Sequence, residues 1–326
     1  MALIVSPNLT VDRTVRIARL VPGSVQRPER AVVTAGAKGV NVARVLAAFG
    51  DRARLVGYVP SGDRGLVDRL FGAEPLDLVG VEVDGELRVA TIYLEDDGRV
   101  TVLNEPGPDV DDAAWTALER TVRDALAGGN DHVVACSGSL PPGAPIDGYG
   151  RISAIAHEQG AEVVVDAGRD VLAATLPFHP DVVAPNLSEA EAALGASGGE
   201  AVDELGDDVA DRAEEAARSL VEAGARAAVV TAGAAGAAVV TAEAAAWFPG
   251  VEIVVVNPIG AGDSFVAGFI RARERGAAML DAVAQGLGTA TASCEDALAG
   301  GVDPERASEL AERIGAGRVD VREARS

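Results

Sequence analysis

The stretch Val255-Val-Asn-Pro-Ile-Gly260-Ala-Gly262-Asp263-Ser-Phe-Val-Ala-Gly268-Phe269 contains the strongest pattern in the chain. An apolar run leads into a glycine-containing turn, and an Ala- and Val-rich segment typical of a helix follows at once. We therefore predict a strand, a turn and a helix in that order. The glycines let backbone amides approach a ligand closely, and the start of a helix adds unpaired N–H donors and a positive dipole end. Together these features suit a phosphate group.

Asp263 falls in the first turn of the predicted helix and has two interpretations. Aspartate is a good N-cap, since its carboxylate can accept from the first free amides. Alternatively, the carboxylate could act as a general base beside a phosphoryl group during transfer. The Gly-Ala-Gly-Asp residues by themselves leave both interpretations open.

Elsewhere in the chain, short β-branched runs alternate with Ala-, Leu- and Arg-rich segments, a pattern typical of βαβ units and a mostly parallel sheet. The predicted strands are Ala2–Val5, Arg54–Val59, His132–Cys136, Glu162–Asp166, Val182–Ala184, Ala227–Thr231 and Ala237–Thr241. The predicted helices are Asn41–Phe49, Asp111–Ala127, Asp207–Ala223, Ser264–Arg275 and Asp281–Leu298. Because the strands are apolar without interruption, we expect helices to cover both faces of the sheet.

Two segments depart from this alternation. Thr10–Ile17 and Leu87–Leu103 alternate with period two, and the second contains a tight turn at Glu95-Asp-Asp-Gly-Arg99. Such strands predict a small antiparallel sheet standing off the main unit. We therefore expect one domain over residues 1–326, with lid segments inserted at about 10–19 and 85–104.

The charge balance excludes several classes of partner. The 326 residues include 28 Lys and Arg against 50 Asp and Glu, a formal net charge of −22. Nucleic acids and anionic membrane surfaces both require a basic footprint, so neither is expected as a partner. No run reaches the roughly 18 apolar residues of a membrane span, and the first residues lack the features of a secretory signal. We expect a cytoplasmic protein. Lys38 is the only lysine in the chain.

Several common site types are also missing from the sequence. Cys136 and Cys294 are too few for a disulfide framework or a Cys-rich zinc site. There is no Gly-x-x-x-x-Gly-Lys-Ser/Thr motif for a P-loop and no Gly-x-Gly-x-x-Gly after the first strand for a dinucleotide fold. His132, His157 and His179 are scattered and lack the spacing of metal ligands.

Four further segments combine a strand end with glycine or polar residues. Thr34-Ala-Gly-Ala-Lys-Gly-Val-Asn-Val-Ala-Arg44 opens a predicted helix, and its Asn amide suits sugar hydroxyls, which both donate and accept. Cys136-Ser-Gly-Ser-Leu-Pro-Pro-Gly143 follows a strand at the edge where open α/β sheets bind ligands. Pro185-Asn-Leu-Ser-Glu189 fits either a capping box or a polar pair facing one way. Thr231-Ala-Gly-Ala-Ala-Gly236 alone indicates only a hairpin.

In this order along the chain, the five segments resemble the PfkB/ribokinase family of carbohydrate kinases, and within it the branch of 1-phosphofructokinases and tagatose-6-phosphate kinases. The resemblance extends from Ser6-Pro-Asn8 and Asp12 to the helices after the Gly-Ala-Gly-Asp motif. The Asn104-Glu-Pro-Gly-Pro108 tract is also typical of the branch. The resemblance implies a three-layer αβα ribokinase-like domain, with a mostly parallel sheet and a small β-sheet lid.

The resemblance also implies roles for individual residues. Asp263 would take the proton of the acceptor hydroxyl, and the amides of Gly260, Ala261 and Gly262 would form the anion hole for the γ-phosphoryl group. Residues implied in binding the acceptor are Asp12, Gly36, Gly39, Asn41 and Ser139, with Arg88 and Lys38 as candidates for the phosphate of the acceptor itself. Residues implied in binding the nucleotide are Asn186, Thr231, Gly233, Gly236 and Gly262. Glu189 would bind magnesium through water.

The implied activity is ATP- and Mg²⁺-dependent phosphorylation of a ketohexose phosphate, with fructose 1-phosphate giving fructose 1,6-bisphosphate as the leading case. Alternatives are tagatose 6-phosphate or fructose 6-phosphate as acceptor, an unphosphorylated sugar or nucleoside, and a non-catalytic sugar-phosphate sensor. A homodimer through the β-lid is expected, because a small amphipathic sheet that stands alone leaves one face uncovered and its edge strands unpaired. Two departures from the family pattern bear on these roles. Ala37 stands at the second glycine of Gly-Gly-Lys-Gly, and Ala184 replaces the Lys usual before Pro-Asn.

Overall fold

A ten-stranded sheet lies at the centre of the computed structural model, which describes residues 2–28, 30–128, 132–195, 206 and 208–320. The strands are β1 (Ala2–Val5), β2 (Thr10–Ile17), β3 (Ala31–Gly36), β4 (Ala53–Pro60), β5 (Asp77–Val83), β6 (Arg88–Glu95), β7 (Val100–Asn104), β8 (Val133–Ser137), β9 (Glu162–Asp166), β10 (Val182–Val183), β11 (Ala227–Thr231), β12 (Gly236–Thr241), β13 (Ala245–Pro249) and β14 (Val319–Asp320). The central sheet has the order β14-β13-β12-β11-β10-β9-β8-β1-β4-β5. Its pairs are parallel from β11 through to β5 and antiparallel from β11 to β14.

Helices cover both faces of this sheet. They are α1 (Lys38–Ala48), α2 (Arg64–Phe71), α3 (Asp112–Leu126), α4 (Gly148–Glu158), α5 (Arg169–Thr175), α6 (Leu187–Ala193), α7 (Val209–Glu222), α8 (Ala261–Glu274), α9 (Met279–Ser293) and α10 (Pro304–Ala316). Successive strand side chains point to opposite faces, so Ile4 packs in the core beneath α1, α8 and α9, whereas Leu3 and Val5 pack beneath α3 to α7. The predicted three-layer arrangement is present.

A second sheet, of order β3-β2-β6-β7, stands apart from the first. We call these four strands the lid sheet. It contains the predicted strand Thr10–Ile17 and the predicted hairpin, whose strands are β6 and β7. The prediction of an antiparallel sheet was wrong for one pair, since β2 and β6 are parallel. The chain passes through α1, β4, α2 and β5 of the main unit between these two strands, and so returns in the same direction. Strand β3 was not predicted. It pairs antiparallel with β2 and runs directly into α1, so the lid sheet is joined to a helix of the main layer.

The predicted strand before the Gly-Ala-Gly-Asp turn was wrong. Residues 251–256 form neither helix nor strand, and Val254 is 81% exposed. The backbone amides of Val256 and Asn257 donate instead to the carbonyl of Cys294, just after α9. The outer side of β13 is taken by β14, so this apolar run has no place beside it in the sheet.

The other predicted boundaries moved by a few residues. Helix α7 begins at Val209, and the predicted start at residue 207 lies outside the described residues. Helix α9 ends at Ser293, before the predicted Leu298. Strands β5, β13 and β14 were missed. Among the helices in the described ranges, none has both the length and the apolar character that crossing a membrane requires.

The topology brings the segments singled out in the sequence to one edge of the sheet. Parallel strands β1, β8, β9, β10 and β11 all end at this edge, and the loops that follow them carry polar residues. Helices α1 and α8 begin at the same edge and pack against each other. Open α/β sheets bind ligands at this edge, so the fold defines where a site should be sought.

Candidate active site

The first turn of α8 presents a buried carboxylate. Gly260 occupies the N-cap with a φ of 84°, in the left-handed region that favours glycine. Asp263 is the third helical residue and is only 5% exposed. Its Oδ2 accepts a hydrogen bond of 2.8 Å from Asn41 Nδ2 on α1. Asp263 is therefore not the N-cap, and its carboxylate contacts a neighbouring helix at the sheet edge.

Backbone amides lie beside this carboxylate. The Ala261 amide donates to the Pro258 carbonyl at 3.3 Å, which is long for an N–H···O bond. Gly262 follows at the second helical position, where an amide has no acceptor within its own helix. The turn that begins at Gly260 therefore offers donors to an anion placed near Asp263.

Lys38, at the start of α1, forms an ion pair that was not predicted. Its Nζ lies 2.9 Å and 3.1 Å from the two carboxylate oxygens of Asp166, at the end of β9. Ser137 Oγ, at the end of β8, donates to Asp166 Oδ2 at 3.2 Å. In the sequence, Asp166 appeared only as the last residue of an apolar strand. The signal that could have drawn attention to it is a carboxylate at the carboxyl end of a central parallel strand.

Charges at this edge shift the pKa values of the two key groups. Burial raises the pKa of Asp263 to about 7; the positive charge of Lys38 opposes the shift, and the negative charge of Asp166 adds to it. Burial would lower the pKa of Lys38, but the carboxylates of Asp166, Asp263 and Glu189 raise it above its usual value. Lys38 is therefore charged at neutral pH, and Asp263 titrates near neutrality.

Asp12, on β2, lies on the lid side of the same cleft. Its carboxylate packs so closely on Gly36 that a Cβ there would lie 2.0 Å from Asp12 Oδ1, so no other residue fits at position 36 without displacing it. Burial raises the pKa of Asp12 to about 6, and the positive charges of Arg44 and Arg88 oppose the shift. Asp12 and Asp263 are thus two carboxylates facing one cleft.

Arg88 and Ser139 lie near Asp12, on the lid side of the site. The Arg88 guanidinium donates to the Asn8 carbonyl at 3.0 Å and 3.3 Å, and to the Glu105 carbonyl at 3.4 Å. The Asn8 side chain donates from Nδ2 to Ser139 Oγ at 3.2 Å and to the Pro106 carbonyl at 3.0 Å. These bonds join the loop after β8 to the loop after β7.

Asn186, Glu189 and Thr231 come together at neighbouring strand ends. The predicted capping box is present: the Glu189 amide donates to Asn186 Oδ1 at 2.8 Å, and the Asn186 amide donates to Glu189 Oε2 at 3.1 Å. Asn186 also pairs with Thr231 in a parallel bridge. The remaining oxygen, Glu189 Oε1, points towards Gly168 in the loop after β9. The cap therefore uses only one of the two Glu189 oxygens.

Three of the predicted glycines lie differently from one another. A Cβ at Gly39 would lie 2.6 Å from Ser6 Cβ and 2.7 Å from Leu55 Cδ1. The Cα of Gly39 therefore faces the central sheet and not the cleft. Gly236 backs onto the Phe248 carbonyl of β13. Gly233 lies in the short 3₁₀ turn between β11 and β12, at the same edge as Thr231. Of the three, Gly233 has the position that suits a ligand contact.

Mg²⁺, the metal that the resemblance implies, takes oxygen ligands, and the carboxylates of the site offer them. No group of three or more His, Cys, Asp or Glu side chains in the described part of the chain is arranged to hold a metal ion. Mg²⁺ usually binds to one or two protein carboxylates together with phosphate oxygens and water, so no such cage is required. Glu189 Oε1, left free by the cap, is a hard oxygen ligand of the kind that Mg²⁺ takes. The donor set fits.

The model of pfkB family carbohydrate kinases matches residues 4–306 of this chain. The chain belongs to the pfkB family of carbohydrate kinases. It is therefore a phosphotransferase that acts on a sugar hydroxyl, and the family and the fold inferred from the sequence are confirmed.

Several relatives of this pfkB kinase have names that specify a substrate. A 1-phosphofructokinase of Rhodobacter capsulatus is 34% identical over 274 residues, covering 83% of each chain. A 1-phosphofructokinase of Haloferax volcanii is 33% identical over 297 residues, covering 89% of this chain and 90% of the relative. Among solved structures, phosphofructokinase-2 from Escherichia coli in a tetrameric inhibited form superposes with a TM-score of 0.83 at 22% identity, covering 96% of this chain and 98% of that one.

The burial of Asp263 has a measurable effect on stability. Its pKa in the folded protein, about 7, lies above the ordinary value of 3.8, so its contribution to stability is present below about pH 4 and is lost as the pH rises through 7. We expect Asp263→Asn to raise the Tm at pH 8, and the gain to shrink as the pH falls towards 5. Thermal unfolding followed by circular dichroism measures both. Asp124→Asn, at an exposed position, is the control. An Asp263→Asn protein less stable than wild type at pH 8 would contradict this account.

Proposed function

We propose that this pfkB kinase uses ATP and Mg²⁺ to phosphorylate a ketohexose phosphate to the bisphosphate, and that fructose 1-phosphate is its acceptor, giving fructose 1,6-bisphosphate. The observation that carries the proposal is the convergence at one sheet edge of the buried Asp263, the open first turn of α8 and two cations, Lys38 and Arg88. The two relatives named 1-phosphofructokinase cover more than four fifths of the chain and support the choice of acceptor.

The transfer step follows from this geometry. A carboxylate oxygen of Asp263 takes the proton of the acceptor hydroxyl, and the hydroxyl oxygen attacks the γ-phosphorus of ATP. The new O–P bond forms as the bond from the γ-phosphorus to the β-bridging oxygen breaks, and ADP leaves with that electron pair. The backbone amides of Gly260, Ala261 and Gly262 donate hydrogen bonds to the oxygens of the transferred phosphoryl group and stabilise its negative charge. Positioning and charge neutralisation account for most of catalysis in such a reaction.

The nucleotide side is formed by the ends of β10 and β11. Thr231 and Gly233 would contact the nucleotide, and Asn186 would act beside them, since it bridges to Thr231. Glu189 Oε1 would hold Mg²⁺ through water. When bound, the metal neutralises phosphate charge. Gly236 backs onto β13, so we assign it to shaping the turn rather than to a direct contact.

The acceptor side lies between the lid sheet and α1. Asp12 and Asn41 would bind sugar hydroxyls, and Ser139 would bind close to them. Arg88 donates to backbone carbonyls and forms no ion pair within the described residues, so its charge is available for the acceptor phosphate. Because Lys38 is already paired with Asp166, we assign the phosphate of the acceptor chiefly to Arg88.

The acceptor assignment is tested by an ADP-release screen of fructose 1-phosphate, fructose 6-phosphate, tagatose 6-phosphate and free ketohexoses. We expect the highest kcat/KM with fructose 1-phosphate. Arg88→Gln should raise the KM for the sugar phosphate by about 10- to 100-fold, since a hydrogen bond to a charged group contributes about 1.5–3 kcal/mol. Its KM for ATP should be unchanged. Arg52→Gln, at an exposed ion pair with Asp77, is the control. Greater activity on free sugars than on sugar phosphates would refute the assignment.

The role of Asp263 is tested by Asp263→Asn. Loss of a general base lowers kcat by roughly 10²–10⁴, and ATP affinity should change little because the carboxylate acts on the acceptor. Single-turnover kinetics with saturating ATP, together with nucleotide binding by calorimetry, measure the two effects separately. A variant with near-wild-type kcat would show that Asp263 has only a structural role.

We also propose that two copies associate through the lid sheet. Val32, Thr14, Ile92 and Val102 lie side by side across its four strands, on the same face as Asp12. Val32 and Val102 are 45% and 43% exposed. Three of the four side chains in this row are apolar, and such a row on a thin sheet favours a covering partner. A second copy would extend the cleft wall that begins at Asp12.

Light scattering at micromolar concentration should therefore give the mass of a dimer. The double substitution Val32→Glu and Val102→Glu should give a monomer, because it places two charges in the contact. Val254→Glu, at an exposed valine outside the lid sheet, should leave the dimer intact. A monomeric wild-type protein would rule out this association.

A further inference from the structure

Arg44, on α1, makes hydrogen bonds with three different groups next to the site. Its Nε donates to Glu74 Oε2 at 2.8 Å, and its Nη2 donates to Glu74 Oε1 at 2.5 Å. Nη2 also donates to the Ala35 carbonyl at 2.9 Å. Nη1 donates to Asn41 Oδ1 at 3.1 Å. Glu74 therefore holds the guanidinium with two parallel hydrogen bonds, one to each of its carboxylate oxygens. Such a bidentate pair fixes the orientation of the guanidinium plane.

The bond from Arg44 determines which way the Asn41 amide points. A guanidinium can only donate, so the group of Asn41 that faces it must be the carbonyl oxygen. The NH₂ group then faces Asp263, where it donates to Oδ2 at 2.8 Å. If the amide rotated by half a turn, a carbonyl oxygen would face the carboxylate and an NH₂ group would face the guanidinium. Both contacts would be repulsive.

Close packing holds Arg44 in this place. Gly300 packs directly against α1 at this point. A Cβ at Gly300 would lie 3.2 Å from Arg44 Cβ and 3.2 Å from the main-chain carbonyl oxygen of Asn41. The side chains of Arg44 and Glu74 are 20% and 13% exposed, so the pair is largely shielded from water. The Ala35 carbonyl belongs to β3, directly before Gly36 and the Asp12 contact. Arg44 is thus connected to both carboxylates of the cleft.

We propose that Arg44, oriented by Glu74, is a positioning residue that keeps the Asn41 amide donating to Asp263, so that Asp263 is an ionised base when the acceptor binds. The proposal rests on the proposed role of Asp263 as that base. Glu74, Arg44, Asn41 and Asp263 form a continuous chain of hydrogen bonds that begins in the loop after α2 and ends at the reacting proton. In this proposal Arg44 and Glu74 act through Asn41 and not on the acceptor itself.

The charged groups that face Asp263 define the background of the test. They are Lys38 from α1, Asp166 from the end of β9 and Asp12 from β2. Lys38 and Asp166 keep their surroundings when Arg44 or Glu74 is replaced, whereas in Arg44→Met the Asp12 carboxylate loses the positive charge that opposes the rise of its pKa. Arg44→Lys keeps that charge and loses only the orientation of Asn41, so it separates the two effects. Because Asn41 donates to the ionised form of Asp263 and lowers its pKa, losing that orientation should favour the protonated form. The acid limb of the activity profile would then move to higher pH.

The decisive experiment is the pH profile of kcat/KM for the acceptor, measured with saturating ATP for wild type, Arg44→Met and Glu74→Gln. We expect the acid limb of Arg44→Met to move up by about one pH unit, which lowers activity about tenfold on that limb. Activity should recover to within a few-fold of wild type on the alkaline plateau, and the KM for ATP should stay within about twofold. Glu74→Gln should move the limb in the same direction by a smaller amount, and Arg44→Lys should not restore the wild-type profile.

Arg52, just before β4, and Asp77, at the start of β5, form an exposed arginine–carboxylate pair away from the site and serve as the control. Arg52→Met and Asp77→Asn should leave the profile unchanged. If Arg44→Met fails to fold, Glu74→Gln decides. An unmoved acid limb, or activity lowered equally at every pH, would overturn the positioning role while leaving the base in place. An Asp263→Asn enzyme with wild-type kcat would overturn both proposals.

Discussion

The hydrogen bond between Asn41 and Asp263 joins residues 222 positions apart in the chain, and the site is organised around it. It connects the first turns of α1 and α8, two of the helices that begin at the carboxyl edge of the sheet. Asp263 is buried, so its ionised form depends on what surrounds it. Asn41 supplies a donor, Lys38 supplies a positive charge, and the fold has to keep both in place.

The charge balance of the cleft sharpens what the composition alone suggested. A net charge of −22 excludes polyanionic polymers, and local cations would be expected wherever a small phosphate binds. The structure shows instead that carboxylates accompany those cations: Asp12 and Asp166 lie beside Arg44, Arg88 and Lys38. A cleft with this mixture does not attract phosphates by net charge. Under the proposed function, phosphates would bind at specified places, where single cations and free helix amides each act on one group.

The sequence predicted those parts of the molecule that depend on local pattern. The β-branched runs Ala2–Val5, Glu162–Asp166 and Ala227–Thr231 became strands with the predicted limits. The Ala-rich strand β13 was missed because its residues also favour helices, whereas the valines at 254–256 form no strand because the sheet edge is already occupied. The family motifs led to the candidate site at this edge of the sheet. They gave no indication of Asp166 or Glu74, since the importance of both lies in contacts with residues far away in the sequence.

The buried carboxylate of Asp263 also constrains the rest of α8. A carboxylate whose ionisation is unfavourable at neutral pH tends to rotate or move towards water, so the helix that carries it must resist displacement. Glycines make this possible. A Cβ at Gly268 would lie 2.3 Å from Thr289 Oγ1, and a Cβ at Gly286 would lie 2.8 Å from the Phe265 ring. Helices α8 and α9 therefore pack at close range, and this support resists the displacement of α8 that would bring the Asp263 carboxylate into water.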